Sequence, residues 1–265
     1  MVDDPSAFVG SVPAVYEADL GPVIFEPLAA ELAARLPGDA RRIVEVAAGT
    51  GRLTRALCAR MAGDAHLVAT DLNEAMPAIG KAAVPDPRVS WRVADAQALP
   101  LAAGEADAAC CQLGLMFFPD KPRALRELRR VLRPGGTLLV NVMGPIAESP
   151  WTVATQQVVE EMFPGDPPLF YLVPFSLGDR DALAALVAGA GFAVTIDTIR
   201  RESTSPSAVA FARGLIRGNP ISQQIVARGG DLAALEAGVA ARLAERFGDH
   251  PLRIQLVAHV VTAVA

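Results

Sequence analysis

Ile43-Val44-Glu45-Val46-Ala47-Ala48-Gly49-Thr50-Gly51 is the stretch whose reading decides the fold. Its first half is apolar and β-branched with one acidic interruption, the pattern of a buried parallel strand. It breaks into small residues, and Arg52 to Met61 then reads as a helix with Leu53, Leu57 and Cys58 on one face. Strand, glycine turn and helix together make the cradle of doubly wound folds. Small residues let the backbone approach a ligand, and the helix start offers unpaired N–H groups. The next apolar run, His66 to Thr70, ends at Asp71. An acid at the end of the second strand is placed to accept hydrogen bonds from ribose hydroxyls.

Two nucleoside cofactors compete for such a turn. A dinucleotide fingerprint requires G-x-G-x-x-G, and here the third position is Thr54 in one register and Arg52 in the other. That reading fails, and the choice falls to the downstream order of motifs. Asn73 and Glu74 read as a helix start, with Met76 one turn in. Val89 to Val93 alternates as a third strand and runs into Asp95-Ala96-Gln97-Ala98-Leu99-Pro100. Ala106 to Cys111 reads as a fourth strand ending at Gln112-Leu113-Gly114-Leu115-Met116-Phe117-Phe118. A helix over Pro122–Leu132 leads through Arg133-Pro134-Gly135-Gly136 into a fifth strand, Thr137 to Val142, with Pro134 stopping the helix and the glycines turning the chain.

The wording E-x-x-x-G-T-G at Glu45–Gly51, Asp71 after strand two, D-A-x-x-L-P from Asp95 and R-V-L-R-P-G-G from Arg130 resembles class I S-adenosylmethionine-dependent methyltransferases. Through Gly114–Phe118 it is similar to the type 11 and ubiquinone/menaquinone-biosynthesis group. The resemblance covers roughly residues 40–142 and departs at Ala47, where the family usually carries glycine. Alanine there is tolerable if the backbone keeps a negative φ, and it narrows the room beside the methionine moiety.

The resemblance implies an α/β fold with a doubly wound seven-stranded sheet, its last strand antiparallel, an N-terminal helical lid and a helical insertion before the last strand. It implies S-adenosylmethionine as cofactor, held by Glu45, Ala47, Ala48, Gly49, Thr50, Gly51, Asp71, Leu72, Met76, Asp95, Ala96, Gln112 and Leu113. Asp95 and the Ala96 N–H would read the adenine edge. Tyr16 and Gln112 are the candidate catalytic handles. Tyr16, Phe117, Trp151, Phe170 and Tyr171 are the candidate acceptor residues, because an aromatic cluster suits an apolar acceptor.

The remaining chain fits one domain: residues 1–40 a lid, 41–142 the cofactor-binding core, 143–203 a substrate loop and strand, 204–250 a helical cap and 251–265 the last strand. Within the lid, Asp19-Leu20-Gly21-Pro22 reads as a helix-breaking step and Val23–Leu36 as a helix.

Composition narrows the partners. Net charge is −5 with no basic cluster beyond Arg129-Arg130 and Arg200-Arg201, so nucleic acid is not expected. No apolar run approaches the ~20 residues of a membrane span, and no leader pattern is visible, so a cytoplasmic protein is expected. Cys58, Cys110 and Cys111 read as buried small hydrophobes, and neither they nor His66, His250 and His259 have metal-ligand spacing. Oligomeric state does not follow from the sequence. Methyl transfer to a small apolar or aromatic metabolite is the leading reading. A methyltransferase-fold enzyme using the bound cofactor for another reaction, such as a cyclisation, and a non-catalytic cofactor-binding subunit stand as alternatives.

Overall fold

Apolar strands alternate with amphipathic helices along most of the chain, and this pattern builds a sheet covered by helices. A computed structural model describes residues 12–265. Its strands are β1 (Arg42–Val46), β2 (His66–Asp71), β3 (Val89–Val93), β4 (Ala106–Gln112), β5 (Leu132–Met143), β6 (Ala193–Ser205) and β7 (Leu252–Val264). They form one seven-stranded sheet in the order β3-β2-β1-β4-β5-β7-β6. The first five run parallel, and β7 lies antiparallel to β5 from Thr137↔Val264 to Met143↔Ala258. The order reverses between β1 and β4, where Val46 pairs with Cys111. A ligand of an open α/β sheet binds beyond the strand ends at that reversal.

The helices are α1 (Val12–Val15), α2 (Glu26–Ala33), α3 (Arg52–Cys58), α4 (Ala75–Ala83), α5 (Lys121–Val131), α6 (Pro150–Met162), α7 (Arg180–Ala188), α8 (Ala208–Arg217), α9 (Ile221–Ala227) and α10 (Leu232–Phe247). Several begin where the sequence places an oxygen to take up free N–H groups. Asp120 accepts from Arg123, Asp179 from Asp181 and Ala182, Ser207 from Ala210, and Asp231 from Ala233 and Ala234. Each such cap is worth about 1 kcal/mol.

The chain gathers into two compact units. The sheet unit comprises Leu28–Met143, Leu177–Ile199 and Ala258–Ala265. Its core is the doubly covered strand set, with Val44, Leu67, Ala109, Leu139 and Val260 buried beside Leu125 and Leu128 of α5. The helical unit comprises the described residues up to Pro27, with Gly144–Ser176 and Arg200–Val257. Its core centres on Phe211, Trp151, Tyr171, Leu215, Leu235 and Leu243. Parts of the segments that the sequence parses separately as lid, post-β5 loop and cap insertion thus share one unit, while residues 28–40 and 177–199 belong to the sheet unit.

Three local expectations are corrected. Asp19–Pro22 does not break the N-terminal helix. Tyr16–Phe25 is a π-helix running through Pro22 into α2, with the Glu26 N–H bonded to the Gly21 carbonyl five residues back. The wider turn passes Pro22, whose ring in an α-helix clashes with the carbonyl four residues earlier. The helix expected over Val23–Leu36 is correspondingly the shorter α2. The R-V-L-R-P-G-G segment is also less of a turn than expected. Helix α5 ends at Val131, Leu132 is already extended and pairs with Ala106, and β5 passes through Pro134–Gly136 with a register shift between Ala106 and Ala108. Gly135 at φ +76° takes up that irregularity.

Candidate functional site

The end of β1 is built on a buried carboxyl. Glu45 is 1% exposed and accepts a 2.7 Å hydrogen bond from the Thr54 hydroxyl of α3. Burial pushes its pKa from an ordinary 4.5 up to about 8, and the nearby Asp71 charge adds to the rise. Near neutral pH Glu45 is therefore mostly a neutral acid that ties strand to helix beneath the turn.

Above it the backbone twists sharply. Ala47, Gly49 and Gly51 have φ of +53°, +55° and +88°. The condition set for Ala47 is not met: it holds a left-handed conformation, which costs a non-glycine residue roughly 1–2 kcal/mol. Its methyl group sets the size of its neighbour, since a Cβ built on Gly114 falls 2.6 Å from the Ala47 Cβ and 3.0 Å from Cys111 Sγ. The two glycines of the turn differ. A Cβ on Gly49 meets no heavy atom within 4 Å, so this glycine faces open space. A Cβ on Gly51 meets the Trp91 ring at 3.0 Å, so Gly51 is small partly to seat the β3 tryptophan. Thr50 is buried, and Ala48 donates to the Thr70 carbonyl at 2.9 Å.

Asp71 clasps this turn. One carboxylate oxygen accepts from the Gly49 N–H at 2.8 Å and the other from the Asn73 N–H at 2.9 Å. Burial raises its pKa, opposed by these N–H donors and that of Leu72. A carboxylate has about four acceptor sites, so these three N–H donors leave room for a ribose hydroxyl. Beside it Leu72 is 64% exposed, whereas Met76 is buried against the sheet. Val93, paired with Asp71, is 51% exposed at the end of β3. Leu72 and Val93 thus leave apolar surface uncovered beside the carboxylate. Val93 was missed in the sequence, although as the last residue of an alternating strand opposite Asp71 it was findable. Asp95 folds onto its own loop and accepts from the Gln97 N–H at 2.8 Å, while Ala96 is buried.

The end of β4 is strained in the same way. Leu113 has φ +49°, and its N–H meets both the carbonyl and the side-chain oxygen of Asn141, at 3.0 and 3.1 Å. Asn141 is fully buried in β5 and donates to the Leu28 carbonyl. It pins the strand end and was also missed; the signal was one amide inside an apolar run. Left-handed non-glycine residues concentrate at functional sites, and here two stand on the neighbouring strands at the reversal. Gln112 and Phe117 follow them, each half-buried. The thiols of Cys110 and Cys111 are buried, and burial raises both pKa values, that of Cys111 to about 12, so neither is a nucleophile at neutral pH. Cys58, expected to be buried, is half-buried.

The other candidate acceptor residues lie in the helical unit. Trp151 donates from Nε1 to the Gln255 carbonyl at 3.1 Å and packs edge-on against Phe211. Tyr171 donates to the Leu215 carbonyl at 2.8 Å, stacks at an angle on Phe170, and has its pKa raised by burial. All three of Trp151, Phe170 and Tyr171 are core residues of that unit, 3% exposed. Tyr16 is half-buried, its ring centroid 4.3 Å from that of Phe25. Among the described residues no cluster suits a metal ion, and no helix is long and apolar enough to cross a membrane.

With this geometry in hand, comparison with known proteins is informative. The Methyltransf_11 family, described as a methyltransferase domain, matches residues 44–140. The ubiquinone/menaquinone biosynthesis C-methyltransferase UbiE of Teredinibacter turnerae is 40% identical over 115 residues, 42% of this chain and 45% of that protein. An uncharacterized protein of Mycobacterium tuberculosis is 42% identical over 99 residues, 37% of this chain and 35% of that protein. The chain thus spans less than half the length of these curated relatives. Among solved structures, phosphoethanolamine N-methyltransferase 2 of Haemonchus contortus, with phosphomonomethylethanolamine and S-adenosylhomocysteine bound, superposes with a TM-score of 0.62. It covers 99% of this chain and 59% of its own at 14% identity, a likeness of fold. The motifs and the clasped turn fall in the stretch that matches: residues 44–140 are similar to methyltransferase domains.

Proposed function

We propose that the protein transfers a methyl group from S-adenosylmethionine to a small apolar or aromatic metabolite. The observation that carries this reading is the clasped turn, where Gly49 faces open space while its N–H is held by Asp71. That arrangement fits the amino-acid end of the cofactor against bare backbone and its ribose against the carboxylate. Bound there, the cofactor supplies the electrophile as a methylsulfonium, so the protein's work is positioning and exclusion of water.

In this reading Leu72, Met76, Val93, Asp95 and Ala96 surround the adenine. Glu45 holds the turn from below in its neutral form, and Ala47, Ala48, Thr50, Gly51 and Leu113 shape the backbone around the methionine end. Gln112 is a neutral hydrogen-bonding handle that orients an acceptor without removing its proton. Phe117 supplies an apolar contact on the β4 side. Tyr16 is assigned to the acceptor with Trp151, Phe170 and Tyr171, the latter three as buried packing of their unit and not as direct contacts. An acceptor that arrives as a nucleophile needs no general base.

The test is to incubate the full chain with methyl-labelled S-adenosylmethionine and a panel of phenols, quinols, amines and stabilised carbon acids. Label appearing in one acceptor class with equimolar S-adenosylhomocysteine supports transfer. Conversion of an acceptor without S-adenosylhomocysteine would replace transfer by a non-methylating reaction of the bound cofactor. Saturable cofactor binding with no conversion of any acceptor would leave a binding subunit.

A further inference from the structure

Within the sheet unit, the edge of the Trp91 ring meets two glycines from different elements. A Cβ built on Gly80 of α4 would fall 2.3 Å from Trp91 Cη2 and 2.4 Å from its Cζ3. A Cβ built on Gly51 would fall 3.0 Å from the same Cη2 and 3.2 Å from Val84 Cγ2 at the end of α4. One ring atom is thus the nearest neighbour of both. Gly80 sits inside α4 at an ordinary helical φ, where alanine is the better helix former. Its conformation does not call for glycine; the ring does. Gly51 donates to the Ala48 carbonyl at 3.0 Å and accepts from the Arg55 N–H at 2.9 Å, so it closes the turn and opens α3.

The indole is kept although its polar atom is poorly served. Trp91 Nε1 is buried and has no hydrogen-bond partner, whereas Trp151 donates from Nε1 to the Gln255 carbonyl. A buried indole N–H ordinarily finds an acceptor, and leaving it unmade is destabilising. Phenylalanine would fill much of the same place without that penalty. What it lacks is the far ring edge, Cη2 with Cζ2 and Cζ3, and these are the atoms nearest the two glycines.

A turn with three left-handed residues, one of them Ala47, persists only where its surroundings over-determine it. Asp71 supplies one constraint at the Gly49 N–H. We propose that Trp91 supplies another and is a positioning residue for the cofactor: its ring edge sets where Gly51 stands against α4, and so holds the clasped turn in the shape that accepts S-adenosylmethionine. This rests on the reading of that turn as the cofactor's seat. Trp91 acts through Gly51 and needs no contact with the ligand.

The test compares Trp91→Phe, Gly80→Ala and the double mutant in the full chain, by calorimetric titration with S-adenosylhomocysteine and by urea denaturation. Trp91→Phe should bind about tenfold more weakly. Its denaturation midpoint should stay close to that of the wild type, because the lost packing is offset by the loss of an unpartnered N–H. A tryptophan with a structural role alone would lower the midpoint and leave the affinity of the folded protein unchanged. Gly80→Ala should weaken binding by a similar factor, since its methyl group strikes the ring. In the double mutant that methyl group has room, so binding should be no weaker than in Trp91→Phe, whereas independent losses would multiply to about a hundredfold. The chain has two tryptophans, Trp91 and Trp151, so labelling with 4-fluorotryptophan gives two fluorine resonances, and the one missing in Trp91→Phe is Trp91. That label sits on Cε3, off the three contact atoms. The Trp91 resonance should move in Gly80→Ala before any ligand is added. Should Gly80→Ala fail to fold, Trp91→Phe and Trp91→Leu carry the comparison, the larger trim weakening binding at least as much. Wild-type affinity in a folded Trp91→Phe, or multiplied losses in the double mutant, overturns the positioning role. A folded wild type that binds no S-adenosylhomocysteine removes the methyltransferase reading itself, and the proposal with it.

Discussion

The two units of this protein spend their polar groups differently. At the end of the sheet, strained backbone, a neutral buried acid and a clasping carboxylate surround a glycine that faces open space. In the helical unit the polar atoms of the aromatic residues are turned inward, Trp151 to the Gln255 carbonyl and Tyr171 to the Leu215 carbonyl. The first region stores strain and keeps acceptor capacity in reserve, as a preorganised ligand site does. The second ties these two buried aromatic side chains to its own backbone, as a core does. Substitutions in the two regions should therefore separate ligand binding from stability.

The largest separation is expected at Gly49. Gly49→Val places a branched side chain in the open space at a φ that disfavours any Cβ, so cofactor binding should fall by more than about a hundredfold. Circular dichroism should still show a folded protein, and calorimetric titration with S-adenosylhomocysteine reads the loss. Normal binding would make the turn purely architectural. Asp71→Ala should follow, weakening cofactor binding by roughly ten- to a hundredfold, because it removes both the ribose acceptor and the Gly49 clasp, worth about 1.5–3 kcal/mol.

Glu45 gives a stability effect with a pH signature. Its folded pKa of about 8 stands above the ordinary 4.5, so between those values the folded state holds a proton that the unfolded chain has released. The stability contributed by the protonated form is full below the unfolded value and is lost as pH rises toward the folded one, at a slope of at most about 1.4 kcal/mol per pH unit. Glu45→Gln keeps an acceptor for Thr54 without the titration. The mutant's stability relative to wild type should therefore increase from pH 5 to pH 8 by roughly 1–3 kcal/mol, read by urea denaturation. A pH-independent difference would show that Glu45 is ionised throughout.

Smaller effects should come from the matched pair at the strand ends. Ala47→Gly relieves a left-handed alanine and should stabilise by about 1 kcal/mol. Gly114→Ala should destabilise by roughly 1–3 kcal/mol through overpacking, and the double mutant should recover most of it. Additive effects would mean the two methyl groups do not compete. Smallest for the cofactor is Tyr171→Phe, which loses about 1 kcal/mol of stability with its bond to Leu215 and should leave S-adenosylhomocysteine affinity unchanged.

The same contrast explains what the sequence revealed. The first five strands, the Gly49 turn, Asp71 and the Asp95 loop are written in short consecutive motifs, so local periodicity and spacing locate them, while the doubly wound sheet follows from the family resemblance those motifs carry. Val93 and Asn141 matter through pairing with distant strands, and only their departure from the surrounding pattern hinted at it. The π-helix at Tyr16–Phe25 was misread as a break because Gly21-Pro22 is a breaker in an α-helix. What overrides it is Arg213 of α8, which pairs with Asp19, and Gly214, where a Cβ would fall 2.7 Å from the Leu20 side chain, contacts that no local window contains. The left-handed Ala47 was hidden for a related reason. Its compensation is a missing side chain at Gly114, at the end of another strand.

The central claim is that the Asp71-clasped turn binds S-adenosylmethionine. Equilibrium dialysis of the full chain against methyl-labelled S-adenosylmethionine, beside Asp71→Ala and Tyr171→Phe, tests it most directly. The account predicts saturable binding of one cofactor per chain in the micromolar to millimolar range typical of enzyme substrates, about 1 μM–1 mM. It predicts further that Asp71→Ala weakens this binding and Tyr171→Phe does not. Binding that is absent in the folded wild type, or unchanged in a folded Asp71→Ala, would contradict it.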